Sequence, residues 1–380
     1  MKRNTIIMRR VPLPKARTGR VLLGAWAVLL LSGTALGGTL EWLGPPRRPI
    51  HKIAIAPPRQ ADHVAMLVPH PAPIRRAALL VPAPVATPSV QTGIAAPDSS
   101  LLEPSTLDAT RMLPRISAAG GAAREIYAAR PPLIPSGAKR IAILLDGVGL
   151  STADSLDAIY SLPASVSLAV SPYAVTPGAV LDAARKAGHE LLLSLPMEPE
   201  NSPADDEGSE ALTEQLDPAE NLQRLDWSLS RIQGYAGVTN ASAGLDGAQF
   251  AASPQFGAIS QVLARRGLFY LDATPGGTVP AAIPAAAADL RLDDPPDAAG
   301  IEGQLARLEQ IAMRNGSAIG VAGPLYPVTI QRIADWAHTL PSHGIVLVPV
   351  SNLVHPMEKS PQIEESQIGE SQTGESRNIP

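Results

Sequence analysis

The groups best placed to do chemistry in this 380-residue chain are carboxylates at the ends of short apolar runs. Asp146 follows Arg140 to Leu145, Glu198 stands just past Leu191 to Leu195, Asp272 follows Leu268 to Leu271, and Asp293 and Asp294 follow Asp289 to Leu292. Ser171, Asn240, Gly323 and Ser351 hold the same place after other runs. A single positioned carboxylate is a general base, worth typically about 10²–10⁴-fold in rate. Asp146, Glu198, Asp272 and Asp293, if they converge, would make an all-oxygen site for a hard cation such as Mg²⁺ or Ca²⁺. Asp146, Glu198, Asn240 and Asp272 are the candidate catalytic set. Asp and Asn also cap helices and tie turns, so a structural role stands open for each.

Composition excludes several other chemistries. There is no cysteine, which removes thiol nucleophiles and cysteine-ligated zinc. Lysine plus arginine (31) nearly balances aspartate plus glutamate (35), so no global field selects nucleic acid, and no nucleic-acid partner is expected. His189 precedes a run rather than following one, and is read as a capping or packing histidine. His338 and His343 flank the last helical segment. His355, beyond the last run, is the one histidine expected on the reactive side. Aromatic residues make up 3% of the chain. Trp227 and Trp336 fall inside helical segments and suit core packing, whereas Tyr173, Tyr270 and Tyr326 lie near run ends and are the better candidates for stacking on a ligand.

These residues are positioned by one pattern repeated over residues 137–357: an apolar run, a loop, then a capped helix. Ser151 with Asp154, Thr176 with Pro177, Asp217 with Pro218 and Ser253 with Pro254 are helix starts, and Gly188 and Gly267 are helix ends. Nearly continuous apolar strands alternating with helices predict a parallel sheet buried on both faces. Seven or eight such units predict a closed or nearly closed parallel barrel, with an open doubly wound sheet as the alternative. In a barrel the groups just past the strands share one face.

The remainder of the chain reads differently. Residues 1–20 carry seven basic side chains and no acid, and residues 21–40 are uncharged and mostly apolar. Twenty helical residues at about 1.5 Å each cover a bilayer core of roughly 30 Å. The positive-inside rule then gives a single-pass inner-membrane anchor with the C-terminal domain in the periplasm. Small residues around Ala35 and Gly37 leave a cleaved signal peptide open as the alternative. Residues 41–136 form a Pro-rich linker, with 17 prolines between Gly44 and Pro135 and no sustained period. Residues 358–380 contain three imperfect pentapeptide repeats and read as a disordered tail.

The segment Ile143-Leu144-Leu145-Asp146-Gly147-Val148-Gly149 resembles the "IDDLG" motif of the divergent polysaccharide deacetylase family. Gly188-His189-Glu190, followed by Leu195-Pro196-Met197-Glu198-Pro199, is similar to that family's "GHE…lPMEP", the most specific match. Gly237 to Gly244 stands in the place of "GvnNHMGS", Leu271 to Thr274 in that of "lDSrT", and Ile345 to Ser351 in that of the closing strand. The resemblance covers residues 138–355. It implies a distorted parallel (β/α) barrel of the deacetylase type and, for typical members, metal-assisted removal of acetyl groups from a glycan.

It also marks departures. Gly147 takes the place of the second aspartate, Ala241 that of a histidine, and Gly323 that of the histidine in a "GHP" pattern. None has a donor atom beyond the backbone, so the divalent metal such as zinc implied by the family has no ligands there, and no metal or cofactor is expected. Two functions follow. One is a degenerate member that binds or scaffolds an envelope glycan. The other is an active hydrolase removing acetyl groups from an envelope polysaccharide.

Overall fold

The computed structural model describes residues 93–356. The basic segment 1–20, the apolar run 21–40, the first part of the Pro-rich stretch and the tail 358–380 lie outside the described residues. Among the described residues no helix is long and apolar enough to cross a membrane.

The first described segment departs from the expected linker. It forms a two-stranded antiparallel ribbon, β1 (Leu102–Pro104) and β2 (Met112–Pro114), and a single helical turn, α1 (Ala123–Ile126). Leu101, Leu113, Ala123 and Tyr127 are buried against the following domain. The Tyr127 hydroxyl accepts the Asp98 N–H at 2.8 Å. Arg266 clasps the ribbon from the other side, donating to Glu103 at 2.9 Å and to the Pro114 carbonyl at 3.1 Å. This strap has no sequence period because its order comes from contacts with distant residues, not from local propensity.

The domain begins at β3 (Lys139–Val148), and α2 (Thr152–Ser161), β4 (Ser167–Val170), α3 (Gly178–Ala187), β5 (Leu191–Ser194) and α4 (Pro218–Leu229) follow. Next come β6 (Gly237–Thr239), the hairpin of β7 (Ala241–Ser242) and β8 (Leu245–Asp246), α5 (Ala248–Ala251), α6 (Pro254–Arg265) and β9 (Phe269–Asp272). After these come β10 (Ala285–Ala287), β11 (Leu290–Arg291), α7 (Ala298–Asn315), β12 (Ser317–Ala322), α8 (Pro327–Ala337) and β13 (Ile345–Leu347). Most helix limits obey the cap signals. Ser151 accepts from the Asp154 N–H, Asp217 from the Glu220 N–H with Pro218 in the first turn, and Gly188 ends α3 at φ +90°. Thr176 is an exception: Pro177 occupies the cap of α3.

The strands lie in the order β10, β9, β6, β5, β4, β3, β12, β11, every neighbouring pair parallel, with β13 added to the first residues of β3. Ile141 to Leu145 are fully buried, as a central strand covered on both faces requires. β10 pairs with β9 and β11 with β12, yet only Ala288 and Asp289 separate them. The two edges of the sheet are therefore successive pieces of one stretch of chain. An open doubly wound sheet would leave two unrelated edges, so the architecture is a parallel sheet curled on itself with helices outside.

Candidate functional site

At the C-terminal end of β3 the Asp146 side chain points into a closed space. The Gly244 N–H, in the turn of the β7–β8 hairpin, donates to Asp146 Oδ1 at 3.0 Å. From the end of the neighbouring strand β12 the Gly323 backbone comes so close that a Cβ there would overlap the Asp146 carboxylate. Between them a Cβ at Gly147 would sit 3.6 Å from Pro324 Cα and 3.7 Å from Ala243 Cα. The hairpin and the turn after β12 thus meet over Asp146, which is 0% exposed. Its Oδ2 has no hydrogen-bond partner. Burial disfavours the charge and pushes its pKa up to about 7, against the pull of Arg291 and the Gly244 N–H and with the help of Asp293 and Asp246. Ala243, at the hairpin turn, has φ +48°, a left-handed conformation that costs a non-glycine residue roughly 1 kcal/mol.

Further acids surround Asp146. Glu207, on the long loop after β5, is buried, and its carboxyl is pushed up to about 8, first by desolvation, against a hydrogen bond from Ser242 and with nearby Asp146 and Asp246 adding to the rise. Its Oε1 also has no partner. Asp293 takes the Gly323 N–H on Oδ2 at 2.7 Å, and its Oδ1 lies 3.7 Å from Arg291 Nη1. Burial raises Asp246 and Asp293 as well. Sequence reasoning missed Glu207, Asp246 and Arg291. Glu207 sits in an acidic run, Asp205-Asp206-Glu207, that reads as a solvated loop, and only its position after β5 hinted otherwise.

The other expected site residues are elsewhere. Asn240 donates to Asp272 Oδ1 at 3.1 Å and to Thr274 Oγ1 at 3.3 Å, and accepts the Ala273 N–H at 2.6 Å. Asp272 Oδ1 also takes the Thr274 N–H at 2.9 Å. Glu198 Oε2 accepts the Glu214 N–H at 3.0 Å. Asn240 and Asp272 are thus brought together, Glu198 is turned to its own loop, and none bonds to Asp146. Tyr270 is fully buried, Tyr173 bonds the Glu210 N–H at 3.2 Å, and Tyr326 is 45% exposed.

The residues at the mouth do not fit a zinc ion. Gly147, Ala241 and Gly323 bring no donor, and no group of three or more His, Asp or Glu side chains able to hold a metal occurs among the described residues. Asp146, Glu198, Asp272 and Asp293 do not form such a group either, Glu198 being turned to the Glu214 N–H and Asp272 to Asn240. His355 does not lie on the reactive side: its backbone pairs with Ala285, the first residue of β10, away from the strand's mouth-side end. His343 bonds Glu309 at 2.8 Å on the outer helices.

Residues 143–354 match the family described as divergent polysaccharide deacetylase. The chain belongs to that family. The uncharacterized YibQ of Escherichia coli K12 is 26% identical over 238 residues, 60% of this chain and 70% of that one. An uncharacterized protein of Haemophilus influenzae is 27% identical over 222 residues, 56% of this chain and 76% of that one. The crystal structure of the uncharacterized protein ATU2773 from Agrobacterium tumefaciens C58 superposes with a TM-score of 0.59 at 32% identity, covering 64% of this chain and all of that one.

In this family member the side chains of the Gly188-His189-Glu190 motif are taken up by structural hydrogen bonds. The His189 ring joins the Val166 and Ile159 carbonyls at 2.9 and 3.0 Å. The buried Glu190 carboxyl ties three segments at the opposite pole from Asp146: the Ala129 N–H (3.1 Å), the Ser167 hydroxyl (3.1 Å) and the Ser351 N–H (3.0 Å). The strap is thereby fastened to the barrel floor.

Proposed function

We propose that this family member is a non-catalytic module that binds or scaffolds a glycan of the cell envelope. The carrying observation is the enclosure of Asp146, whose one bonded oxygen is taken by the Gly244 N–H while the Gly323–Pro324 turn covers it. A base must come within about 3 Å of the proton it removes, directly or through one water, and a wholly enclosed carboxyl meets no substrate. The donor-free positions 147, 241 and 323 support the same reading. The envelope location rests on the basic segment 1–20 followed by the apolar run 21–40.

A second reading has one observation in its favour. Asp146 Oδ2 is unpartnered, and a carboxyl pushed up to about 7 is matched to general-base work near neutrality. An active hydrolase would need the β7–β8 hairpin to swing off Asp146. Co-sedimentation of the protein with insoluble envelope glycan tests the binding function: retention of wild type and of Asp146→Asn alike is expected, and failure of both to bind would sink it.

A further inference from the structure

Away from the barrel mouth, the strap and α4 enclose a polar pocket of about 370 Å³. The turn between β1 and β2 forms one wall and α4 with the loop before it the other, so the pocket exists because the strap is docked. Trp227 closes one side. Its ring is braced by Tyr173, 5.3 Å between centroids, and by the Arg231 guanidinium 5.1 Å away. An indole set among guanidinium and carboxylate groups offers a sugar ring aromatic carbon for its C–H patches and polar partners for its hydroxyls.

The charges decide which sugar. Arg111 is already paired with Asp108 at 3.1 Å, and Arg224 with Glu220 at 3.6 Å while also donating to the Ala211 carbonyl at 2.6 Å. Both lining cations are therefore satisfied. Two lining acids remain. Asp226 has one ionic partner, the Arg266 guanidinium 3.6 Å away and shared with Glu103, with the Ser105 side chain beside it, and Glu210 forms no ion pair among the described residues. The pocket thus has an excess of negative charge and no cation free to receive an anion.

We infer that this pocket is a separate carbohydrate site selective for a glycan bearing free amino groups, a de-N-acetylated aminosugar, whose ammonium is met by Glu210 and Asp226. The inference rests on the proposed glycan-binding function and names its ligand. The protein would read the product of deacetylation rather than make it.

Calorimetric titration of the full chain with glucosamine oligosaccharides and with their N-acetylated counterparts of equal length tests this. The glucosamine series binds more tightly, and Glu210→Gln, isosteric and at a half-buried position, weakens it by about tenfold, the worth of one charge-assisted hydrogen bond, while leaving the N-acetylated series unchanged. Equal binding of the two series, or indifference to Glu210→Gln, overturns the amino selectivity but leaves glycan binding standing. If neither series binds while the protein still sediments with envelope glycan, the pocket is not the site. If nothing binds, both readings fall together.

Discussion

Gly244, 98 positions further along the chain, donates its N–H to Asp146 Oδ1 across 3.0 Å, so the one carboxylate left of the family's paired aspartates is capped by a backbone amide. Ser242, on the same hairpin, lies beside Glu207 and opposes the rise that burial gives its carboxyl. Two buried carboxyls are therefore held under one turn, and their proton affinities are part of the fold's stability.

Stability should fall as pH rises through neutrality. Asp146 and Glu207 titrate near 7 and 8 in the folded chain, against about 4 when unfolded, so the native state binds more protons between these values. Their contribution is fully present below about pH 4 and is lost as pH climbs through 7 and 8. Urea midpoints at pH 5 and pH 8 should show Asp146→Asn flattening this slope and stabilising the protein at pH 8 by on the order of 2 kcal/mol. An unchanged slope in both Asp146→Asn and Glu207→Gln would refute the enclosure.

Glycine substitutions at the mouth should separate cleanly. Gly323→Ala drives a methyl group into the Asp146 carboxylate and should cost about 3 kcal/mol or prevent folding. Gly147→Ala has room, its nearest atom being 3.6 Å away, but sits at φ +81° and should cost only about 1 kcal/mol. Thermal denaturation ranks the two, and a reversed order contradicts the packing described.

The barrel was legible because a strand buried on both faces leaves an unbroken apolar run, and Ile141 to Leu145 is one. Cap residues such as Asp217 marked where helices begin. The strap was not legible: Leu101 and Leu113 are isolated apolar residues among prolines and gain meaning only in the core they share with the barrel. Asp146 was found because it ends a run. Its neighbours Glu207 and Asp246 were not, since loops leaving different strands meet only once the sheet has curled. The barrel's polarity put Asn240 and Asp272 on one face without saying whether they meet; in the structure they bond each other and the Thr274 N–H, as capping residues do.

The Glu190 tie predicts a link between the barrel floor and the strap. Glu190→Ala leaves the Ala129 and Ser351 N–H groups without an acceptor and should destabilise by about 3 kcal/mol, at about 1–3 kcal/mol for each buried orphan. Limited proteolysis should then cut within residues 93–129 before the barrel unfolds. Global unfolding with no earlier strap cleavage would show that the tie is not local.

Asp146 as a walled-off carboxyl is tested most directly by acetate release from an N-acetylated glycan, with purified protein supplied with excess zinc at pH 8. The expected result is no release above the blank for wild type and for Asp146→Asn alike. Acetate produced by wild type and lost in Asp146→Asn would establish that the hairpin opens, that Asp146 meets substrate, and that the chain is an active deacetylase.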